Sequence, residues 1–351
     1  MHICSMAFRL EYEYLKLKFN FSARTSRGNM EDRGIWLIKF FDDQKNTLKG
    51  TGEVAPLAGL SVETDQVVLQ ELNQLVKAVR NLSAVQNGAD DVLQKLNSNE
   101  YSSSVCFGLE MAVRDYFNGG IGVYYDSDFL RGKKIPINGL VWMADQVAML
   151  EQARKKIGEG FKCIKLKVGG LNFDEECSLL ERLRDEFGDQ IDIRLDANGA
   201  FHKPDVWHKL ERLSVFKPES IEQPIKAGQL DLMAEVCRES PIPVALDEEL
   251  IGVSSADRGR LLDRLSPTFI VLKPGLHGGF YGTRDWIALA EERQMGWWIT
   301  SALESSVGLS AIAQFTALYR NDMVHGLGTG GIYENNLPSA LNAESGFLRL
   351  G

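Results

Sequence analysis

Eight short β-rich runs follow one another at a nearly constant spacing after Lys134. Helix-like segments such as MADQVAMLEQARKKIGEG separate them, and neighbouring centres lie 24 to 28 residues apart. Strands and helices that alternate at one period over eight units predict a (β/α) barrel, and the regular period favours closure over the structural alternative, an open doubly wound sheet. The approximate centres of the runs are Asn138, Leu166, Arg194, Ile221, Ala245, Val271, Ile299 and His325.

The chain before these runs has a different pattern. The segments LEYEYLKLKF, GIWLIKFFD and LKGTGEVAP, within residues of about 8–55, have the character of strands, and the pattern becomes helical from Glu63 to Phe117. Strands followed by helices predict an α+β unit. We therefore expect an α+β N-terminal domain over residues 1–125, to which the segment 334–351 returns, and a barrel domain over residues 134–333.

Charge and composition exclude several classes of function. The 351-residue chain has a formal net charge of −9 and no polybasic block, so it lacks the basic excess that nucleic-acid binding requires. It contains no run of ~18 apolar residues, so we expect no membrane span. Five widely spaced cysteines without a CxxC pair indicate reduced thiols and a cytoplasmic protein. The oligomeric state stays open.

Ionisable side chains recur near the C-terminal ends of five consecutive predicted strands, where barrels place their reactive groups. From one strand to the next they are 25 to 29 residues apart, which is the period of the strands themselves. A barrel converts this linear order into a ring of three adjacent carboxylates flanked by lysines. The residues are Lys165 and Lys167 on the second strand, Asp196 on the third, Glu222 on the fourth, Asp247 on the fifth and Lys273 on the sixth.

These residue types in this order suggest proton chemistry beside a metal. Three carboxylates on adjacent strands form a hard-oxygen site for Mg²⁺, with Mn²⁺ as a substitute, whereas without a cation they would repel one another. A lysine that is buried or lies beside another ammonium can act as a base near neutral pH. We expect Lys165 to favour the uncharged form of Lys167 in this way. Any one of these charges alone would be a solvated strand end; the set in register favours a site.

Five motifs in this order, KLK, DANG, EQP, LDE and LKP, resemble the muconate-lactonising subgroup of the enolase superfamily, and the resemblance covers nearly the whole chain. It implies an α+β capping domain, a modified (β/α)7β barrel and bound Mg²⁺. Four further motifs, TSRG, GEVAPL, TSALESSVGL and GLGTGGIYENNLP, resemble the o-succinylbenzoate synthase family of menaquinone synthesis. Those enzymes dehydrate a succinyl-hydroxycyclohexadiene carboxylate, so the resemblance implies a small-molecule carboxylate substrate.

The resemblance also implies a role for each member of the ring. Lys167, the second lysine of KLK, would remove the α-proton of the substrate and then deliver a proton to the departing hydroxyl group. Lys273 would face Lys167 across the substrate and stabilise the enediolate. The magnesium ligands would be Asp196, Glu222 and Asp247.

The strand-five motif departs from the pattern of the subgroup. It is often Asp-Glu-Ser there, whereas this chain has Asp247, Glu248 and Glu249. Alignment with the motif favours Asp247 as the strand-five ligand.

Four residues outside the ring are candidates for contact with the substrate. One is a cation in a predicted cap loop, and the others lie at or near strand ends of the barrel. We also expect Gly52–Leu57 to form a second cap loop that shapes the pocket. The four candidates are Arg27 in TSRG, Asn198 beside Asp196, Ser301 at the end of strand seven and Gly328 in the glycine-rich run after strand eight.

Three other functions compete with dehydration. Two opposed lysines are also the arrangement that racemisation of an N-acylamino acid or epimerisation of a dipeptide requires, and the same subgroup includes such enzymes. A metal-free Schiff-base aldolase could use Lys167 or Lys273, but it leaves the three acids unexplained. A non-catalytic binding protein on a barrel scaffold is the last alternative, because a fold does not determine a function.

Overall fold

The structure, a computed structural model, describes residues 8–25, 28–43, 48–82, 85 and 88–351. An antiparallel α+β unit comes first and a parallel barrel follows, which confirms the predicted fold class of capping domain and barrel. Within the described residues, no helix is long and apolar enough to cross a membrane.

The first unit is a three-stranded antiparallel sheet, in the order β1-β2-β3, covered by helices. Its alternating strands pack one face against a core that includes Phe40, Val54 and Leu72. The elements are β1 (Phe8–Thr25), β2 (Gly28–Asp42), β3 (Lys49–Val54), α1 (Asp65–Arg80), α2 (Ala89–Lys95) and α3 (Ser103–Phe117). The predicted loop Gly52–Leu57 therefore begins inside β3, and the loop itself follows Val54.

Helix α3 is the element that joins the two units. A Cβ atom on Gly52 would lie 1.9 Å from the carbonyl oxygen of Gly108, so glycine in the GTGEV segment lets α3 pack directly on β3. The helix is buried on nearly all sides: Leu109 belongs to the core of the first unit, whereas Phe107 and Met111 belong to the core of the barrel.

Seven parallel strands in chain order form the barrel sheet, and a helix follows each one. After the short strand β4 (Ile135–Pro136), the strands are β5 (Gly139–Val141), β6 (Cys163–Lys167), β7 (Asp192–Asp196), β8 (Ser220–Glu222), β9 (Val244–Leu246), β10 (Phe269–Leu272) and β11 (Gly296–Ile299). The helices are α4 (Gln146–Gly158), α5 (Phe173–Phe187), α6 (Val206–Ser214), α7 (Leu230–Glu239), α8 (Ser255–Leu265), α9 (Gly279–Glu292) and α10 (Ser306–Thr316).

The eighth β-rich run closes the barrel with only two residues. His325 forms a parallel bridge with Ile137, and Gly326 forms one with Thr300. The backbone N–H of Asn138 donates to the carbonyl of His325 at 3.0 Å, which ties the first strand of the barrel to the last run. The side chain of His325 is buried, and its Nδ1 accepts from the N–H of Ile299 on β11 at 3.0 Å.

The last residues of the chain contact both units. Glu334 and Asn335 hydrogen-bond to Lys18 on β1. The strands β12 (Leu341–Glu344) and β13 (Phe347–Leu350) pair with each other, and β13 pairs with β4 at the start of the barrel. The exact domain boundaries stay a prediction.

Two buried carboxylates of the first unit cap helices of the barrel. Glu53 on β3 accepts hydrogen bonds from the backbone N–H groups of Ser305 at 2.9 Å and Gly308 at 2.8 Å, at the start of α10. Glu110 on α3 accepts from the N–H of Tyr281 in the first turn of α9 at 3.3 Å, and burial raises the pKa of Glu110 to about 8. Because helix N-termini carry unpaired N–H groups and partial positive charge, these carboxylates hold the two units together.

We expect the substitution Glu53→Gln to lower the free energy of unfolding by about 1.5–3 kcal/mol, because a neutral amide cannot replace a carboxylate that accepts from two N–H groups. The control Glu13→Gln removes an exposed carboxylate that pairs with Lys39 across β1 and β2. It should change the free energy of unfolding by less than about 0.5 kcal/mol. Urea unfolding followed by circular dichroism measures both. Equal effects would contradict the capping role.

The closure at His325 also predicts a pH dependence. Burial lowers the pKa of His325 to about 3, below the value of ~6.5 in an unfolded chain. Between these values the unfolded chain binds the extra proton, so the stability that this histidine contributes is present above pH ~6.5 and is lost as the pH falls.

In the wild type, His325 makes the free energy of unfolding fall by about 1.4 kcal/mol for each pH unit below 6.5. We expect His325→Asn to remove this part of the pH dependence. The exposed His202 offers the matched control, His202→Asn, which should leave the slope unchanged. Urea unfolding between pH 4.5 and 6.5 gives the slopes. A wild-type slope in the His325 variant would refute this account.

Candidate active site

Parallel strands bring the predicted ring of charges to one end of the barrel. Lys167 is the last residue of β6, Asp196 the last of β7 and Glu222 the last of β8. In the sheet register, Lys167 pairs with Asp196, and Asp196 pairs with Glu222. Asp247 follows β9 directly and Lys273 follows β10. All five therefore lie at the C-terminal ends of their strands, as the period of the sequence predicts.

A cavity of about 330 Å³ opens at this end of the barrel. Of the ten residues that the sequence predicts for the site, nine line it, and Arg27 lies outside the described residues. The nine are Lys165, Lys167, Asp196, Asn198, Glu222, Asp247, Lys273, Ser301 and Gly328.

Lys165 lies between two carboxylates. Its Nζ is 2.6 Å from Glu222 Oε2 and 2.9 Å from Asp196 Oδ2, and only 8% of the residue is exposed. Burial acts to lower the pKa of Lys165, but Asp196 and Glu222 raise it further, and the net shift is upward. Lys165 is therefore a permanent ammonium that neutralises the carboxylates around it.

Lys167 shares a carboxylate with Lys165. Its Nζ donates to Asp196 Oδ2 at 2.7 Å and to Asn198 Oδ1 at 2.7 Å. Against the effect of burial, the two lysines hold the pKa of Asp196 well below its usual value. The pair of lysines in KLK is thus compensated by the acid of the neighbouring strand. Lys167 is buried almost as deeply as Lys165, with 11% of its side chain exposed against 10%, and both lysines line the cavity.

Lys273 closes the ring on the other side. It is separated from β6 by β7, β8 and β9, so it lies across the barrel from Lys167. Its Nζ forms an ion pair with Asp247 Oδ2, and only 8% of the residue is exposed. Burial acts to lower the pKa of Lys273, but Asp247 raises it and the net shift is upward. The backbone N–H of Lys273 donates to His277 Nδ1 at 3.0 Å.

The carboxylate set fits a divalent cation. Lysines lie among the acids, and in the described part of the chain no three acidic, histidine or cysteine side chains form a ready-made metal cluster. However, Glu222 Oε1 and Asp247 Oδ1 are buried and have no hydrogen-bond partner among the described residues. Burial and then Asp196 raise the pKa of Glu222 to about 8, against the opposing effect of Lys165. An oxygen-only set of this kind suits a hard cation.

The two other acids of strand five have different partners. Glu248 Oε1 accepts a hydrogen bond from Asn198 Nδ2 at 3.0 Å. Glu249 is buried, and its carboxylate accepts from Gln223 Nε2 at 3.2 Å and from the N–H of Gly228 at 2.8 Å. Glu249 therefore holds neighbouring loops in place, whereas Glu248 contacts a residue of the cavity.

The opposite wall of the cavity contains residues that the sequence analysis did not single out. Ser301 Oγ accepts from Thr329 Oγ1 at 2.8 Å and from the N–H of Leu303 at 2.8 Å. Thr329 is the one hydroxyl in the glycine-rich run, which is the signal that could have found it. Leu57 lines the cavity from the loop that the sequence analysis expects to shape the pocket. The search for charged strand ends passed over the rest of the apolar wall, which consists of Met30, Leu60, Leu140, Trp142 and Leu303.

A buried arginine of the first unit fastens two segments of this wall. The guanidinium of Arg33 on β2 donates to the carbonyl oxygens of Ala55 and Ala302. Ala55 is the first residue of the cap loop that contains Leu57, and Ala302 lines the cavity next to Ser301. One side chain thus fixes the position of the cap loop relative to the loop after β11.

Comparisons with known proteins agree with this architecture. Residues 148–350 match the family described as Enolase C-terminal domain-like. The o-succinylbenzoate synthase of Desulfotalea psychrophila is 43% identical over 97% of this chain and 98% of its own length. The crystal structure of MenC from that organism has a TM-score of 0.88 at 39% identity, and the match covers 98% of this chain and 99% of that one.

More distant similarities involve racemases and epimerases. The N-succinyl-L-Arg/Lys racemase of Bacillus cereus is 29% identical over 54% of this chain and 50% of its own length. A substrate-liganded structure of the L-Ala-D/L-Glu epimerase from Bacillus subtilis has a TM-score of 0.85, covering 99% of this chain and 96% of that one. At 18% identity, this second similarity shows the shared fold alone.

The unpaired carboxylate oxygens predict that millimolar Mg²⁺ stabilises the protein. A ligand at 100-fold its Kd adds about 2.7 kcal/mol to the unfolding free energy, so we expect the melting temperature to rise by several degrees and EDTA to reverse the rise. Asp247→Asn should abolish the shift. The control Asp192→Asn changes an exposed aspartate at the far end of β7 and should retain it. Equal shifts in both variants would argue against a cation at Asp247.

Proposed function

Because the chain belongs to the o-succinylbenzoate synthase family of the enolase superfamily, we propose that it is a Mg²⁺-dependent lyase of menaquinone biosynthesis. It removes water from 2-succinyl-6-hydroxy-2,4-cyclohexadiene-1-carboxylate and forms o-succinylbenzoate. The observation that carries the proposal is the 43% identity to an o-succinylbenzoate synthase over 97% of the chain. The ring of lysines and carboxylates supplies the groups that the reaction needs.

Lys167 is the proposed base. In its uncharged form, its Nζ takes the proton from the carbon next to the substrate carboxylate, and the electron pair of the broken C–H bond moves toward that carboxylate. The electron pair then returns to form a C=C bond of the ring as the C–O bond breaks, and the hydroxyl group, which leaves with the C–O bonding pair, takes the proton from Lys167 and departs as water. One group that both removes and returns the proton acts on one face of the ring, which makes the elimination syn.

Lys273 is the proposed electrostatic partner. Its ammonium is buried, has a raised pKa and lies across the barrel from Lys167, so it offers fixed positive charge where negative charge develops on the substrate. A group that already points at the developing charge does not need to reorient during the reaction, which is the source of its catalytic effect.

Asp196, Glu222 and Asp247 are the residues that would hold the Mg²⁺. When bound there, the cation supplies positive charge against the substrate carboxylate. Proteins of this superfamily depend on divalent metals, and Mn²⁺ would substitute because it has the same preference for oxygen ligands. The buried, unpaired oxygens of Glu222 and Asp247 support this assignment.

The cavity wall is proposed to select the substrate. Trp142 and Leu57 are part of an apolar wall that suits a six-membered carbon ring, and Ser301 and Thr329 offer hydroxyl groups in the same cavity. The backbone at Gly328 and the amide of Asn198 complete the proposed contacts. A contact between Arg27 and an anionic group of the substrate stays a prediction.

Racemisation or epimerisation is the second candidate. The opposed positions of Lys167 and Lys273 favour it, because a lysine on each side of a carbon can remove and return a proton on opposite faces. In sequence, the relatives with such activities match only about half of this chain, at 27–29% identity.

Two further assignments belong with the proposed function. We infer a cytoplasmic location, supported by the four described cysteines, none of which forms a disulfide. We also retain a capping domain over 1–125 and a barrel domain over 134–333. The segment from Glu334 onward contacts both units.

The direct test is to incubate the protein with the cyclohexadiene substrate and Mg²⁺ and to record the aromatic product by absorbance. Lys167→Ala should lower kcat by at least about 10²–10⁴-fold, because proton transfer by a positioned base contributes that much. Its circular dichroism and melting temperature should stay near wild type. An active Lys167→Ala variant would refute the role of this lysine.

The same preparation distinguishes the second candidate. Incubation of an N-succinyl amino acid in D₂O would show exchange of its α-proton and loss of optical activity if the protein is a racemase. Dehydration without such exchange supports the proposed function, and the reverse result favours the racemase.

A further inference from the structure

Asn198 contacts the proposed base, Lys167, and two acidic residues, Glu248 and Asp196. Its Oδ1 accepts from Lys167 Nζ at 2.7 Å, and its Nδ2 donates to Glu248 Oε1 at 3.0 Å. Its backbone N–H donates to Asp196 Oδ1 at 3.1 Å. A continuous chain of hydrogen bonds thus runs from Glu248 through one amide to Lys167.

The chemistry of the two end groups determines the orientation of the amide. An ammonium only donates hydrogen bonds and a carboxylate only accepts them, whereas an amide has one accepting end and one donating end. With Glu248 on one side, the NH₂ group of Asn198 must point toward it, and the oxygen must point toward Lys167. A flipped amide would place NH₂ against the ammonium and oxygen against the carboxylate, and would lose both bonds.

The backbone leaves the amide little other freedom. Asn198 has a positive φ of 44°, a conformation that asparagine adopts more readily than most residues. Gly199, which follows, has a φ of 75°, and a Cβ atom there would lie 2.8 Å from Lys226 Cα. The turn is therefore packed against its neighbour, and rotation of the side-chain amide is the motion that Glu248 restrains.

We propose that Glu248 is a positioning residue of the reaction, which acts through Asn198 to hold Lys167 Nζ at the place where it meets the substrate proton. This inference rests on the proposed function, because it assigns Lys167 as the base. Glu248 does not need to touch the substrate or the cation for this role. Its neighbour Glu249 has no such path, since its carboxylate is bound to Gln223 and Gly228.

Two substitutions separate the hydrogen bond from the charge. Glu248→Ala removes the acceptor, so the amide of Asn198 can flip, and we expect kcat to fall about 10–100-fold with KM within about 3-fold of wild type. Glu248→Gln keeps an accepting oxygen but removes the charge, and we expect it to restore kcat to within about 3-fold of wild type. The charge itself matters less, because Glu248 Oε1 is connected to Lys167 Nζ through the neutral amide of Asn198.

Exchanging the amide and the carboxylate between positions 198 and 248 tests the chain of hydrogen bonds directly. Asn198→Asp places two carboxylates against each other, and we expect a loss of kcat of about 100-fold. In the double variant Asn198→Asp/Glu248→Gln, the amide and the carboxylate have exchanged places and the pair is again complementary. We expect at least a 5-fold recovery of kcat relative to Asn198→Asp. If Asn198 and Glu248 acted independently, the double variant would show no recovery of kcat.

Glu249→Gln, at the residue that follows Glu248, is the matched control. It removes a buried carboxylate that holds two loops, so we expect a lower melting temperature and a kcat within about 3-fold of wild type. Glu248→Ala should show the opposite pattern, with a melting temperature near wild type and a reduced kcat. The Kd for Mg²⁺, measured by titration of the melting temperature, should be unchanged in the Glu248 variants.

The outcomes distinguish this inference from the proposed function. If wild-type protein forms no o-succinylbenzoate, the proposed function is overturned and the inference falls with it. If the wild type is active and Glu248→Ala retains its kcat, the inference alone is overturned. It is equally overturned if Glu248→Gln is as slow as Glu248→Ala and both weaken Mg²⁺ binding, because Glu248 would then act through its charge at the cation.

Discussion

Compensation of buried charge at the mouth of the barrel is the constraint on which the rest of the structure depends. Lys165 and Lys167 on one strand can share a face because Asp196, on the next strand, lies in register with Lys167 and binds both ammonium groups. Burying either kind of charge alone would cost several kcal/mol. Glu222 and Asp247 each keep one buried oxygen without a hydrogen-bond partner among the described residues. The fold is therefore arranged around a site in which the lysines balance the acids but two carboxylate oxygens remain available to a cation.

The first unit completes this site through polar contacts as well as apolar packing. Glu53 caps α10, Glu110 caps α9 and Arg33 binds the carbonyl oxygens of two loops. All three side chains are buried, and their contacts with α9, α10 and Ala302 are made only when the two units are docked. The loops that they hold include Ala302, at the cavity wall. Docking of the first unit and formation of the pocket are for this reason one event, in which α3 supplies the shared core.

The period of the strands was sufficient to predict the barrel and to place five ionisable groups at one end, because parallel strands align their C-terminal ends by geometry. It could not predict that the eighth run contributes only His325 and Gly326, since closure by two bridges leaves no alternating pattern. The apolar wall with Trp142 was also missed. Apolar residues at strand ends look like core residues in a sequence, and only the position of the first unit shows that they border a cavity.

The surroundings of the two opposed lysines bear on the choice between the candidate reactions. Lys273 is buried in an ion pair with Asp247 and its pKa is raised, so it is held as an ammonium. Lys167 is buried to nearly the same degree and is likewise paired with an aspartate, Asp196, but its Nζ also donates to the neutral amide of Asn198. A racemase uses both lysines to exchange protons in turn, whereas a dehydratase uses one base and one fixed cation. The additional amide partner distinguishes Lys167 from Lys273 and fits a separate role for each lysine, and the 43% identity to an o-succinylbenzoate synthase favours dehydration.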